Sequence, residues 1–125
     1  MEYLQSNKLK RQVFCYTKVH SIVDHKQKKE YKSAVERLGM MIYNNGLVSA
    51  LCILKDEKDK YPLYNHLSIW IANTKVIGFN LNTSNPDLLV NVLAISNSMV
   101  LQLLTIEVNK LSDTLKEIIK SESWN

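Results

Sequence analysis

A chain that stops one helix and starts another within a few residues has few ways to fold. The run Met41-Ile42-Tyr43-Asn44-Asn45-Gly46-Leu47-Val48-Ser49-Ala50-Leu51-Cys52-Ile53-Leu54-Lys55 does this. Apolar residues at helical spacing lead into Asn44-Asn45-Gly46, and a second apolar helix begins at Leu47. Glycine reaches positive φ at little steric cost and asparagine tolerates the turn before it, so Gly46 reads as the C′ residue of a helix stop. No catalytic group sits in the run. Its role is architectural: it sets an angle between two helices.

Helical spacing continues through most of the chain. A first helix is expected from about Leu4 to Val23. At 100° per residue, Leu9, Val13, Tyr16, Val19, His20 and Val23 share one arc, and Lys8, Arg11 and Lys18 cluster on another. Phe14 and Ile22 fall outside the apolar arc, so this helix reads as buried on more than one side. Asp24-His25-Lys26-Gln27-Lys28-Lys29 reads as a charged turn. A second helix carries Tyr31, Ala34, Val35, Leu38, Met41 and Ile42 up to Gly46, and a third carries Leu47, Ala50, Leu51 and Leu54.

The mixed-sign run Lys55-Asp56-Glu57-Lys58-Asp59-Lys60 is a solvated loop. Tyr61-Pro62 suits a first helical turn, and the helix after it presents Leu63, Leu67, Trp70 and Ile71. Residues 75–81 are the one stretch that reads as extended. Asn85-Pro86-Asp87 predicts a helix start with Asn85 as cap, running to about Ile95. Ser96-Asn97-Ser98 breaks that helix or caps the next, which uses Leu101, Leu104, Val108, Leu111, Leu115 and Ile118. The expectation is an all-α, compact bundle of five or six helices forming a single helical domain over residues 1–125.

Cys15 and Cys52 sit inside apolar helical patterns and read as buried free thiols. The first residues show no basic segment followed by an apolar run, and apolar stretches are broken by polar residues short of a membrane span; the expected location is cytoplasmic. The net charge of +4 is uneven. Residues 1–37 hold nine basic and four acidic side chains, leaving the rest near neutral. A basic third on a neutral body fits a polyanionic partner, or a lysine-rich surface that is simply soluble.

Signatures of catalysis are missing. His20 and His25 are five residues apart, about 140° around a helix, and do not converge on a metal. There is no H-E-x-x-H, C-x-x-C or phosphate-binding glycine loop, and three glycines cannot build a glycine-rich cradle. Cys15 with His20 is a nucleophile pair on paper, with no orienting third group at recognisable spacing. His66 reads as a helix-face histidine bonded to a neighbour. Trp70 reads as core, with base stacking as the sharper alternative. The chain is expected to have no catalytic residue, no metal and no cofactor.

Five segments carry a resemblance. They are Arg11-Gln12-Val13-Phe14-Cys15-Tyr16-Thr17-Lys18-Val19; Tyr31-Lys32-Ser33 with Leu38, Ile42 and Asn45-Gly46-Leu47; Ala50-Leu51 with Leu54-Lys55; Tyr61 with Leu63-Tyr64, His66-Leu67-Ser68 and Trp70-Ile71; and Leu104-Thr105-Ile106-Glu107 with Leu111 and Leu115-Lys116. Together they resemble the small α-helical subunit of the type III-B CRISPR effector, the Cmr RNA-targeting complex. The chain departs from that pattern at Gly39 or Met40, where proline is common. It departs again at Thr114, where tryptophan is usual, and at Glu117, where a second basic residue stands. Lys116 is the clear remnant of a C-terminal basic surface.

The resemblance implies a non-catalytic protein of antiviral defence. Copies of such a subunit stack along the effector beside other Cmr subunits that hold the crRNA, and form a basic channel for target RNA. Lys8, Arg11 and Lys18, with Lys55 and Lys116, are the expected RNA-binding residues. For Arg11 the competing expectation is a salt bridge within the bundle. Lys26, Lys28 and Lys29 are assigned to a solvated loop. The alternatives are a stand-alone helical nucleic-acid-binding protein and a structural adaptor between proteins.

Overall fold

The computed structural model describes residues 7–57, 61–74, 87–95, 97–122 and 124. Among these, the helices are α1 (Asn7–His20), α2 (His25–Asp56), α3 (Tyr61–Thr74), α4 (Leu88–Leu93) and α5 (Ser98–Ser121), with no strand. The all-α expectation holds. The expectations for Leu4, for residues 58–60, for the extended stretch at 75–81 and for Asn85-Pro86 lie outside the described residues.

The expected second and third helices are the two arms of α2, broken at Gly46 (φ 86°, ψ 164°). That ψ lies well beyond the left-handed helical well expected of a C′ residue, in a region open essentially to glycine alone. A Cβ there would meet no atom within 4 Å, so the constraint is on the backbone and not on space. One window of α2 has the length and mean hydropathy (1.3) of a membrane span. The break at Gly46 interrupts it, and its stripe from Tyr31 to Leu54 is buried against α3, α4 and α5.

Caps set the helix starts. Asp24 accepts a bond from the Gln27 amide at 3.1 Å, so the charged segment after it is the first turn of α2 and not a loop. Asp87 caps α4 by accepting from Leu89 N, and Asn97 caps α5 by accepting from Met99 N and Val100 N.

Helix α5 is the central element, packed against α1, α2 and α3. Its buried residues include Leu104, Glu107, Val108, Leu111, Ser112, Thr114, Leu115 and Ile119, an arc of about 160°. Arg11 meets Glu107 and Cys15 meets the Leu111 carbonyl, both 96 residues apart, so α1 and α5 run parallel. Lys32 reaches Trp124 and Lys116 lies beside Gly39, so α2 and α5 run antiparallel.

The orientation of α1 reverses the sequence expectation. Its buried residues are Arg11, Cys15 and Val19, followed by Ile22 just past its end. Of the apolar arc, only Val19 is buried. Leu9 (43% exposed), Val13 (57%) and Tyr16 (54%) face solvent, as does Val23 (81%) beyond the helix. The arc holding Arg11 and Lys18 is turned toward the bundle, while Lys8, at its outer end, is exposed. Cys15 is buried as expected, whereas Cys52 is exposed; both thiols are free.

Candidate nucleic-acid interface

The five expected RNA-binding residues do not share one face. Arg11 is 9% exposed, and its Nη1 lies 3.4 Å from Glu107 Oε2. The indole N–H of Trp70 donates to the same oxygen at 2.8 Å. Phe14 packs against Trp70 with ring centroids 5.0 Å apart, and the Lys18 ammonium stands 5.5 Å from the Phe14 centroid. Arg11 is therefore part of a buried network that ties α1 and α3 to α5, the salt bridge given as its competing expectation. Trp70 is core, as expected. Lys8 is exposed on the first turn of α1.

Lys55 lies in the last turn of α2 and is paired with Asp87, which also accepts from the Tyr64 hydroxyl. Burial opposes ionisation of Asp87. The bonds from Lys55 and Tyr64, with the Lys55 charge, outweigh it and hold the carboxyl below its usual range. This cluster pins α4 to α2 and α3.

Lys116 lies on the other side of α5, about 180° from Glu107. It faces α2 and joins a group of lysines. Lys32, Val35 and Glu36 of α2 and Lys116, Ile119 and Lys120 of α5 line a cavity of about 360 Å³ with Trp124. A second cavity of about 290 Å³ is lined by Lys28, Lys29, Lys32, Ser33, Glu36 and Trp124. The two share Lys32, Glu36 and Trp124, so they form one trough between the start of α2 and the end of α5.

The local sequence accounts for the trough. Lys28, Lys32 and Glu36 recur at i, i+4 on α2, and Lys116 and Lys120 do so on α5, which puts each set along one edge. Val35 and Ile119 supply the apolar floor. The ion pairs among the described residues are Arg11–Glu107, His20–Glu122 and Lys55–Asp87, and none uses a trough lysine. Among the described residues, five ammonium groups thus face one carboxylate, Glu36, across a concave surface, the arrangement that concentrates positive potential.

Lys28, Lys29, Lys32, Lys120 and Trp124 are absent from the sequence-derived site. Their signal was present as i, i+4 lysine pairs on two helices, but nothing in the sequence places those helices side by side.

The other chemically capable groups are spread apart. Burial pushes the Cys15 thiol up to about 12, so it is protonated near neutral pH. His20 is exposed and bonded to Tyr16 O and Glu122, and the two do not form a nucleophile–base pair. His66 is buried with Nδ1 at 2.8 Å from the Tyr31 hydroxyl, as its bland reading expects. Burial, then the Lys18 charge, push its pKa from 6.5 down to about 4. Among the described residues, no group of His, Cys, Asp or Glu could hold a metal ion.

Fold and site together define a small all-α bundle with a lysine-lined trough between two of its helices. The family model for "CRISPR-associated protein (Cas_Cmr5)" matches residues 7–122, nearly the whole chain, and the chain belongs to that family. It is a Cmr-type small subunit of a type III-B CRISPR system, with a place in a CRISPR complex. No curated protein and no solved structure matches it.

Proposed function

We propose that this chain is a non-catalytic small subunit of a cytoplasmic, antiviral type III-B effector. It stacks along the complex beside other Cmr subunits and their crRNA, and binds the target RNA strand through the α2–α5 trough. The observation that carries this reading is the set of five lysines, none in an ion pair among the described residues, facing Glu36 across a concave surface. Such a surface neutralises phosphates without reading sequence, which base pairing with the guide would supply. Of the five residues expected from the sequence, Lys116 belongs to this surface.

The test is charge reversal at two exposed trough lysines, Lys29→Glu with Lys120→Glu, in the reconstituted effector. Target RNA affinity should fall while the complex still assembles. Unchanged affinity would overturn the proposal. Loss of assembly with RNA capture intact by what remains would favour the adaptor reading.

That second reading has an observation of its own, the exposed apolar stripe of Leu9, Val13 and Tyr16 on α1. Stacking would cover this stripe against a neighbouring subunit. Both roles then coexist on opposite sides of α5: α1 for protein, the α2–α5 trough for RNA.

A further inference from the structure

The two tryptophans are held in different ways. Trp70 is 6% exposed and its indole N–H is satisfied by Glu107. Trp124 is half-buried, follows the end of α5 and stands where the two cavities meet. Among the described residues nothing accepts a bond from its indole N–H. Its main-chain carbonyl accepts from Lys32 Nζ at 3.2 Å. Its ring lies 6.4 Å from Tyr31 with planes at 68°, so Tyr31 touches the indole without stacking on it. The Lys28 ammonium stands 5.6 Å from the indole centroid.

We propose that Trp124 is a stacking platform for one base of a bound single-stranded RNA, with Lys28, Lys32, Lys116 and Lys120 placed to hold the phosphates beside it. This rests on the proposed RNA-binding role of the trough and adds a base contact to it. The argument is chemical. Lysines alone recognise any polyanion, including an acidic protein segment. An indole set among lysines and open to a cavity suits a ligand that carries a flat π-face next to each negative charge. Single-stranded nucleic acid is such a ligand. In a duplex the bases are already stacked and offer no face.

The test uses the full chain and end-labelled single-stranded RNA at low ionic strength, read by fluorescence anisotropy. Wild type is compared with Trp124→Leu, Trp124→Phe and the Lys29→Glu/Lys120→Glu double variant, each against normal and abasic RNA. Trp124→Leu should weaken binding of normal RNA by at least roughly fivefold, and Trp124→Phe should retain most of it. Wild type should bind abasic RNA as weakly as Trp124→Leu binds normal RNA.

The lysine double variant should lose affinity for both RNAs. If Trp124→Leu binds like wild type while charge reversal still weakens binding, stacking is overturned and the phosphate-binding role stands. If charge reversal changes nothing, or the chain binds no RNA, the role of the trough falls and the stacking contact with it. A thermal melt of Trp124→Leu matching wild type keeps a lost affinity from being a folding defect, and the Phe variant serves in its place if the melts differ.

Discussion

At the scale of single residues, the densest polar chemistry is structural. Glu107 Oε2 receives both Arg11 and the Trp70 indole in a nearly dry site, so removing one ion strands the other. Arg11→Glu should destabilise the fold by about 3–5 kcal/mol and lower the melting temperature by roughly 10 °C or more. The double variant Arg11→Met/Glu107→Gln removes both charges and keeps an acceptor for Trp70. It should be more stable than Arg11→Met alone, by calorimetry or urea unfolding. His66 gives a second residue-scale prediction. Its pKa is 6.5 in the unfolded chain and about 4 in the fold, so between those values the unfolded chain binds the extra proton. Stability therefore rises with pH across this window: the contribution is whole above pH 6.5 and lost progressively toward pH 4, by up to about 3 kcal/mol. His66→Gln should flatten that part of the stability–pH curve.

Among the elements, α1 separates what could be read from the sequence from what could not. It carries two stripes at helical spacing. The outer one, Leu9, Val13 and Tyr16, is the more apolar and was the natural inward choice. The inner one runs Arg11, Cys15, Val19, and its burial depends on Glu107 and Trp70, which lie on helices far along the chain. Periodicity within α1 holds no information about those partners. The arms of α2, the face of α3 and the cap of α5 were legible because each depends on neighbours within a few residues. At α4 the described cap is Asp87, the last residue of the expected start signal, and Tyr64 and Lys55, distant in sequence, hold it in position. The lysine trough stayed hidden because it needs two helices brought together. Two predictions belong here. Gly46→Ala should cost on the order of 1–3 kcal/mol by denaturant unfolding, all of it from backbone strain, because a methyl group there meets no neighbour. Val13→Asp, on the exposed stripe, should leave the melting temperature within a few degrees of wild type and reduce co-purification with neighbouring subunits; equal recovery would show that the stripe is bare in the complex.

For the molecule as a whole, polarity is divided across α5. One side presents apolar side chains from α1, and the other presents ammonium groups from α2 and α5. If the trough carries RNA, its affinity should fall with added salt. The log–log slope should be about 0.7 per phosphate contact, and the Lys29→Glu/Lys120→Glu variant should have a shallower slope by roughly 1.4. The parallel seating of α1 on α5 bears also on how the chain is made. The contact partners are 96 residues apart, so the first helix lacks its main packing partner until the last one leaves the ribosome. At about 5–20 residues per second, that interval is on the order of 5–20 s. Throughout it both stripes of α1 are uncovered on the nascent chain, and the apolar one stays exposed in the folded chain. If stacking covers that stripe, as proposed, cells that overproduce this chain alone should accumulate it in aggregates.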